Sequence, residues 1–492
     1  MRREQPSVAI IGAGFGGLGM GIRLKQCGYT DVTVFEKADE VGGVWRENTY
    51  PGAACDVPSH LYSFSFEPKS DWSRRFAEQR EILDYLKHCT AKYDMRQHIR
   101  FKTEVTSATF SASTGRWTLS LADGTHHSAD ILIPACGQLS RPAYPRLPGL
   151  DSFAGTVFHS AAWNHDYGLT DKRVAVVGTG ASAIQFVPEI ASKVKQLTLF
   201  QRSAPHVIPK TDFAYPRLAK SAFERIPGAL RVSRWATYCE LEPRALMFTR
   251  FPQIAGLYER KFLRNLRREI TDPALREKLT PSDPIGCKRV LLSNDWYAAL
   301  RRPNVRVETS PIATVLAHGI ATARGGVHEA DAIILGTGFQ ANDFLAPMRI
   351  TGLEDKDLNE AWRDGAEAYL GITISGFPNL FLLYGPNTNL GHNSIILMLE
   401  AQINYTLDAI RHLRDAQLSW LDVKPATQNA FNKKVQERME STIWDRECTS
   451  WYKNDAGKNT NNWPGFTFSY YAMTRKLDPA DYYAEPMRAS VS

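Results

Sequence analysis

Long apolar runs are missing from this chain. No stretch approaches the roughly 20 residues that a membrane-crossing helix needs, so an integral membrane segment is not expected. Paired cysteines are missing too. The seven cysteines are scattered, with no CxxC pair and no metal-ligand spacing. That pattern predicts reduced thiols, no disulfide framework and no metal site. It also excludes a reductase working through a redox-active cysteine pair. Blocks of basic residues are absent as well. The net charge of +7 is spread along the chain, and no nucleic-acid-binding motif is visible. A basic surface with a pocket for phosphate-rich ligands is expected, and no nucleic-acid partner. The opening MRREQPSVAIIGAG lacks a small-residue cleavage site. Its apolar stretch runs into a Gly-rich turn and reads as a buried strand, not a signal peptide. The expected location is cytoplasmic.

What is present is an internal repeat. The 492 residues leave room for two or three domains with their own cores. Residues 8–37 read VAIIGAGFGGLGMGIRLKQCGYTDVTVFEK, and residues 174–202 read VAVVGTGASAIQFVPEIASKVKQLTLFQR. Each has a β-branched run, a Gly-rich turn, a helical stretch and a second strand, which is a βαβ unit. Gly12 and Gly178 permit the tight turn. Gly14 and Gly180 let backbone approach a pyrophosphate. Gly17 and Ala183 let helix and strand pack closely. One such pattern is weak; two copies, each between strand and helix, make chance a poor explanation.

The two copies end differently. Glu36 closes the first, where a carboxylate accepts hydrogen bonds from a ribose diol. Gln201 and Arg202 close the second. A carboxylate there would repel a 2′-phosphate, and a guanidinium pairs with one. The first fold is therefore expected to take the adenosine of FAD and the second NADPH in preference to NADH. The fold class expected is α/β, with two Rossmann-like dinucleotide-binding domains and a helical insertion. The boundaries are 1–149 and 366–492 for the two parts of the FAD-binding domain, the latter with a closing tail. Residues 150–209 and 287–365 form the two parts of the NADP-binding domain, and 210–286 the insertion. Alternating apolar positions over 101–133 read as a small β-meander, and 331–339 as a strand returning to the second sheet. The Arg-rich helical faces of the insertion read as solvated surface. The loop GPNTNLGHN, with Asn387 and His392, precedes a long helix and is placed to hold a flavin or to stabilise itself.

Further motifs narrow the reading. Gly42-Gly43-Val44-Trp45, Tyr50-Pro51-Gly52 and Asp56 match a GGxWxxxxYPGxxxD element. Phe153 to Trp163 match FxGxxxHxxxW through Gly155 and His159, with Asn164 where Pro or Asp is usual. Gly286-Cys287-Lys288-Arg289 supplies a Lys-Arg pair, and Ser450-Trp451-Tyr452 a C-terminal segment. Together these resemble the type I Baeyer–Villiger monooxygenases over nearly the whole chain. The resemblance implies FAD and NADPH as cofactors, O₂ and a small-molecule ketone as substrates, and an ester or lactone formed via a C4a-peroxyflavin. It implies Arg289 as the catalytic arginine, Asp56 as its partner, Lys288 on the 2′-phosphate and Trp451 over the nicotinamide. Trp45, Tyr62, Val105, Asn387, Ser182 and Gln185 complete the expected cofactor-binding set. His159 is expected to order the interdomain linker. The aromatic run Tyr62, Phe64 and Phe66 reads either as pocket or as core. Sulfide oxidation is an expected side activity. The rival readings are an N- or S-oxygenating flavin monooxygenase, a flavin reductase or NADPH oxidase, and a non-catalytic nucleotide sensor. The substrate and the oligomeric state leave no motif.

Overall fold

The computed structural model describes residues 5–445 and 450–487. The first βαβ unit forms where the repeat places it. Strand Val8–Ile11 pairs in parallel with Val32–Phe35 on one side and Ile131–Pro134 on the other. Ile99–Arg100 extends the sheet beyond Val32–Phe35. All four residues of Val8–Ile11 and of Ile131–Pro134 are buried, as expected for a parallel sheet covered on both faces. The crossover helix Phe15–Gln26 is buried along most of its length. Its glycines explain this. A Cβ at Gly19 would stand 2.9 Å from Phe64 and 3.0 Å from Ile403, so only a bare backbone lets helix Ile395–Asp415 pack so near.

The second unit repeats the plan. Five parallel strands run in the order Val305–Glu308, Gln196–Phe200, Arg173–Val177, Ala332–Leu335, Thr156–His159. The strand expected at 331–339 thus lies inside the sheet, next to its edge, between Arg173–Val177 and Thr156–His159. The meander expected at 101–133 is also present. Strands Val105–Ser111, Arg116–Leu121 and His126–Ala129 form an antiparallel sheet, and Arg349–Thr351 joins its edge in parallel. Trp117 is buried under it and donates its indole N–H to the Pro378 carbonyl at 2.9 Å.

Between the halves of the second fold lie helices Arg217–Arg225, Ala229–Leu241, Ala245–Thr249, Ala255–Glu269 and Pro273–Lys278. Polar contacts fasten them to the first domain. Arg234 donates to the carbonyls of His60 and Ser63 at 2.8 and 2.9 Å. Glu242, buried, accepts from the Thr467 N–H and hydroxyl and from the Asn393 amide, all within 2.7 Å. Burial would raise the Glu242 pKa. Hydrogen bonds from His392, Thr467 and Asn393 outweigh that and pull it down to about 2.

Cysteine usage departs from expectation at one place. Cys27, Cys55, Cys89, Cys136 and Cys239 carry free thiols, but Cys287 is disulfide-bonded. Scattered spacing was a poor guide there, because a bridge needs proximity in space and not in sequence. Among the described residues, no helix is long and apolar enough to cross a membrane, and no His/Cys/Asp/Glu group could hold a metal ion.

Candidate active site

One cavity of about 1540 Å³ runs between the two nucleotide folds. It is larger than a typical drug-sized pocket of roughly 300–1,000 Å³, so it has room for more than one extended ligand. Both Gly-rich turns open onto it. Gly12 and Gly178 have φ of +103° and +108°, a region glycine enters without strain. A Cβ on Gly12 would lie 2.8 Å from the Ala135 carbonyl oxygen, and one on Gly178 would lie 2.3 Å from that of Gly336. Gly14 and Gly180 line the cavity, whereas Gly17 does not. The place of Gly17 is the packing contact expected of it, 1.8 Å from the Gly12 oxygen for an added Cβ.

The strand ends diverge as the sequence implied. Glu36 is buried and lines the cavity. Its carboxylate accepts from the backbone N–H of Ala13 at 2.8 Å and of Ala38 at 3.0 Å, and pairs with Arg46 at 3.2 Å. Gln201 is also buried, and its amide donates to the Lys278 carbonyl at 2.6 Å. Arg202 beside it is exposed toward the cavity. The Lys288 ammonium lies 3.1 Å from the Ser203 hydroxyl and 2.6 Å from Asp283. A guanidinium, an ammonium and a hydroxyl thus gather at the end of the second fold's strand. That donor set fits a phosphate monoester.

Asp56 and Arg289 meet in the same cavity, although 233 residues separate them in sequence. The guanidinium donates from Nε and Nη2 to one carboxylate oxygen, at 3.1 and 2.5 Å. Burial would raise the Asp56 pKa, but the Arg289 charge and its hydrogen bonds hold it below the ordinary carboxylate range. The Asp56 charge in turn raises the Arg289 pKa against burial. Both groups stay ionised at neutral pH, as a hydrogen-bonded ion pair. Burial, opposed by Arg289, pushes the Tyr452 phenol up to about 12. The Tyr384 phenol is raised by burial in the same way.

Most of the expected residues converge here. Trp45, Tyr62, Val105, Ser182, Gln185, Lys288 and Trp451 all line the cavity. Trp45 donates its indole N–H to the Tyr62 hydroxyl at 3.2 Å. Gln185 accepts from the Tyr50 hydroxyl at 2.9 Å and donates to the Ala54 carbonyl at 3.0 Å, which ties the second fold's helix to the YPG loop. Asn387 stands apart. It adopts φ +55° and commits its amide to the carbonyls of Asn459 and Asn462 at 2.9 and 3.1 Å. It is not among the cavity-lining residues, so the expected flavin contact gives way to the loop-stabilising reading. His392 likewise faces Glu242 at 3.5 Å and not the cavity. Their neighbours Asn389, Leu390 and Asn393 do reach it. Phe64 is fully buried core and stacks on Phe66. His159 is buried, accepts from the Ala161 N–H at 3.0 Å and packs beside Tyr144 and Phe339, a structural setting.

Some lining residues carry no motif. Gln138 is 3% exposed and lines the cavity, yet neither amide atom has a partner among the described residues. A buried carboxamide left unpaired is costly, so it fits a ligand offering both a donor and an acceptor. Tyr384, at φ +66°, bonds through its hydroxyl to Asn389 at 2.8 Å.

Comparison with known proteins bears on this arrangement. Residues 5–224 match the flavin-binding monooxygenase-like family model. A Baeyer–Villiger monooxygenase of Pseudomonas aeruginosa is 47% identical over 97% of this chain and 91% of its own. One of Streptomyces coelicolor is 46% identical over 97% and 92%. Among solved structures, an oxidized steroid monooxygenase bound to NADP superposes with a TM-score of 0.87 at 32% identity, covering 98% of this chain and all of that one. Cyclohexanone monooxygenase from Rhodococcus sp. Phi1, bound to NADP+, gives 0.88 at 27% identity over 98% and 99%. Two glycine-rich turns, a basic corner and an arginine–aspartate pair share one cavity here, and relatives match along almost the full length: the chain belongs to the Baeyer–Villiger monooxygenases.

Proposed function

We propose that this protein uses FAD, NADPH and O₂ to insert one oxygen atom beside a ketone carbonyl, giving an ester or lactone. The observation that carries the reading is the Arg289–Asp56 pair facing the cavity onto which both glycine turns open. When bound, FAD accepts the hydride of NADPH and supplies the oxygen-activating chemistry. The protein's own residues bind, orient and stabilise. The Gly12–Gly14 turn and the N-terminus of helix Phe15–Gln26 receive one pyrophosphate. The Gly178–Gly180 turn receives the other, and Arg202 and Lys288 hold the 2′-phosphate.

Arg289 keeps its charge at working pH and has five N–H donors, of which two engage Asp56. Those not engaged by Asp56 or Tyr452 are available to negative charge developing on the ketone oxygen. Asp56 fixes the guanidinium in place, so little reorganisation is required when that charge appears. Trp451 and Ser450 border the cavity from the C-terminal segment and help exclude water. An enzyme that oxygenates only amines or sulfides has no equivalent need for a fixed cation beside a carbonyl.

The test is turnover of FAD-loaded protein with NADPH, O₂ and a panel of ketones and sulfides, with products identified by mass spectrometry. Arg289→Ala is expected to cut ester formation by about 10²–10³ while flavin reduction by NADPH persists. Sulfide or amine oxygenation alone, indifferent to that substitution, would overturn the assignment.

A further inference from the structure

Eighteen large hydrophobic side chains are exposed among the described residues, and nine of them fall between Phe213 and Tyr258. That concentration is not the scatter of a solvated surface. Leu218 is 85% exposed, Trp235 67% and Val232 65%. On helix Ala229–Leu241, Val232, Trp235, Ala236 and Cys239 are all exposed, at i, i+3, i+4 and i+7, a single apolar stripe. The opposite side of this helix is fixed to the first domain through Arg234 and through Ser233, whose hydroxyl lies 2.8 Å from His60 Nδ1. The stripe is therefore a rigid, outward face. Phe468, 57% exposed, lies beside Thr467, which bonds to Tyr238 of the same helix at 3.1 Å.

Charge identifies the kind of partner. Over residues 211–270, ten exposed Arg and Lys residues stand against two exposed acids, Glu224 and Glu240. Glu240 is already paired with Arg75 and Arg244. Arg217, Arg225 and Arg231 flank the apolar stripe on the two consecutive helices. A second copy of the chain meeting this face would bring cations against cations. An apolar stripe edged by arginines complements a bilayer with anionic headgroups. We propose that helices Arg217–Arg225 and Ala229–Leu241 dock this protein peripherally on an anionic lipid surface. Leu218, Val232 and Trp235 enter the headgroup–acyl boundary, and the flanking arginines meet lipid phosphates. This surface is distinct from the cavity and does not rest on the reaction assigned to it.

The experiment is co-sedimentation of the FAD-loaded protein with vesicles of phosphatidylcholine, alone or mixed with phosphatidylglycerol. Binding to the mixed vesicles is expected to exceed binding to the neutral ones by about tenfold or more, and to weaken with salt. The double variants L218E/W235E and R225E/R231E should each lose about tenfold in vesicle affinity while consuming NADPH at the unaltered rate. Two independent variants guard against one misfolding. Wild-type protein that stays in the supernatant with anionic vesicles would overturn the proposal, as would variants that pellet like wild type. A dimer in sedimentation equilibrium that L218E/W235E dissociates, without vesicle binding, would reassign the face to self-association.

Discussion

In the first nucleotide fold the third position of the glycine pattern has no room for a methyl group. A Cβ at Gly17 would lie 1.8 Å from the Gly12 carbonyl oxygen. In the second fold Ala183 holds the corresponding place, fully buried, with its own Cβ 3.4 Å from where one on Gly336 would stand. The helix approaches its turn more closely in the first copy than in the second. The strand ends differ in the same instructive way. Glu36 offers two backbone-bonded oxygens to the cavity. Gln201 turns its amide away to Lys278, leaving the position to Arg202 and Lys288. On the proposed reading, one scaffold serves two ligands through a steric difference at the helix and a charge difference at the strand end.

The steric half predicts the largest effect. Gly17→Ala places a methyl against backbone, which cannot swing aside, and should cost about 3 kcal/mol or more. The protein should purify with little FAD and unfold at a lower temperature. Ala183→Gly in the second fold should cost only about 1 kcal/mol, through added backbone freedom. Thermal unfolding together with the flavin-to-protein absorbance ratio checks both. Equal losses from the two substitutions would show that the folds do not differ in closeness of packing.

The charge half acts on cofactor choice. Loss of one charge-assisted hydrogen bond is worth about 1.5–3 kcal/mol. Arg202→Ala and Lys288→Ala are each expected to raise the KM for NADPH by about 10- to 100-fold and to leave that for NADH little changed. Gln201→Glu sets a carboxylate beside the proposed 2′-phosphate position and should push the preference toward NADH. Steady-state kinetics with both nucleotides decides this. A parallel rise in the two KM values would place these residues in general folding and not in phosphate recognition.

The part of this site legible in the sequence was the part written in local pattern. The βαβ repeat, its glycines and the contrast of Glu36 with Gln201-Arg202 occupy contiguous residues, and the backbone geometry follows from them. The pairing of Asp56 with Arg289 spans two domains, and only resemblance to a family brought the two together. Contacts such as Tyr50 with Gln185, or the unpaired amide of Gln138, leave no periodic trace, because domain packing creates them. For Asn387 and His392 the sequence left two readings open for a different reason. A polar Gly/Asn loop before a helix has the same composition whether its side chains face a ligand or tie down the loop itself. Here they bond to residues 459 and 462 and to Glu242, segments remote in sequence. The exposed hydrophobics of the insertion were hidden similarly, since helical periodicity does not say which apolar face finds a partner.

The mildest of the predicted losses of ligand affinity concerns Glu36. Its two oxygens accept from different backbone N–H groups, Ala13 and Ala38. Glu36→Gln keeps one acceptor and turns an NH₂ toward the other N–H, while Arg46 loses one of two ion-pair partners and keeps Glu47. The fold of the turn should survive, because strand pairing and the Gly12 conformation do not depend on the charge. The proposed ribose contact, one backbone hydrogen bond and the Arg46 pair weaken, so FAD affinity should fall by about tenfold. Titration of the deflavinated protein with FAD measures it. The mirror substitution in the second fold, Gln201→Glu, should leave FAD affinity untouched. A change there would mean that the two strand ends are coupled through the cavity, and that each fold does not choose its ligand independently.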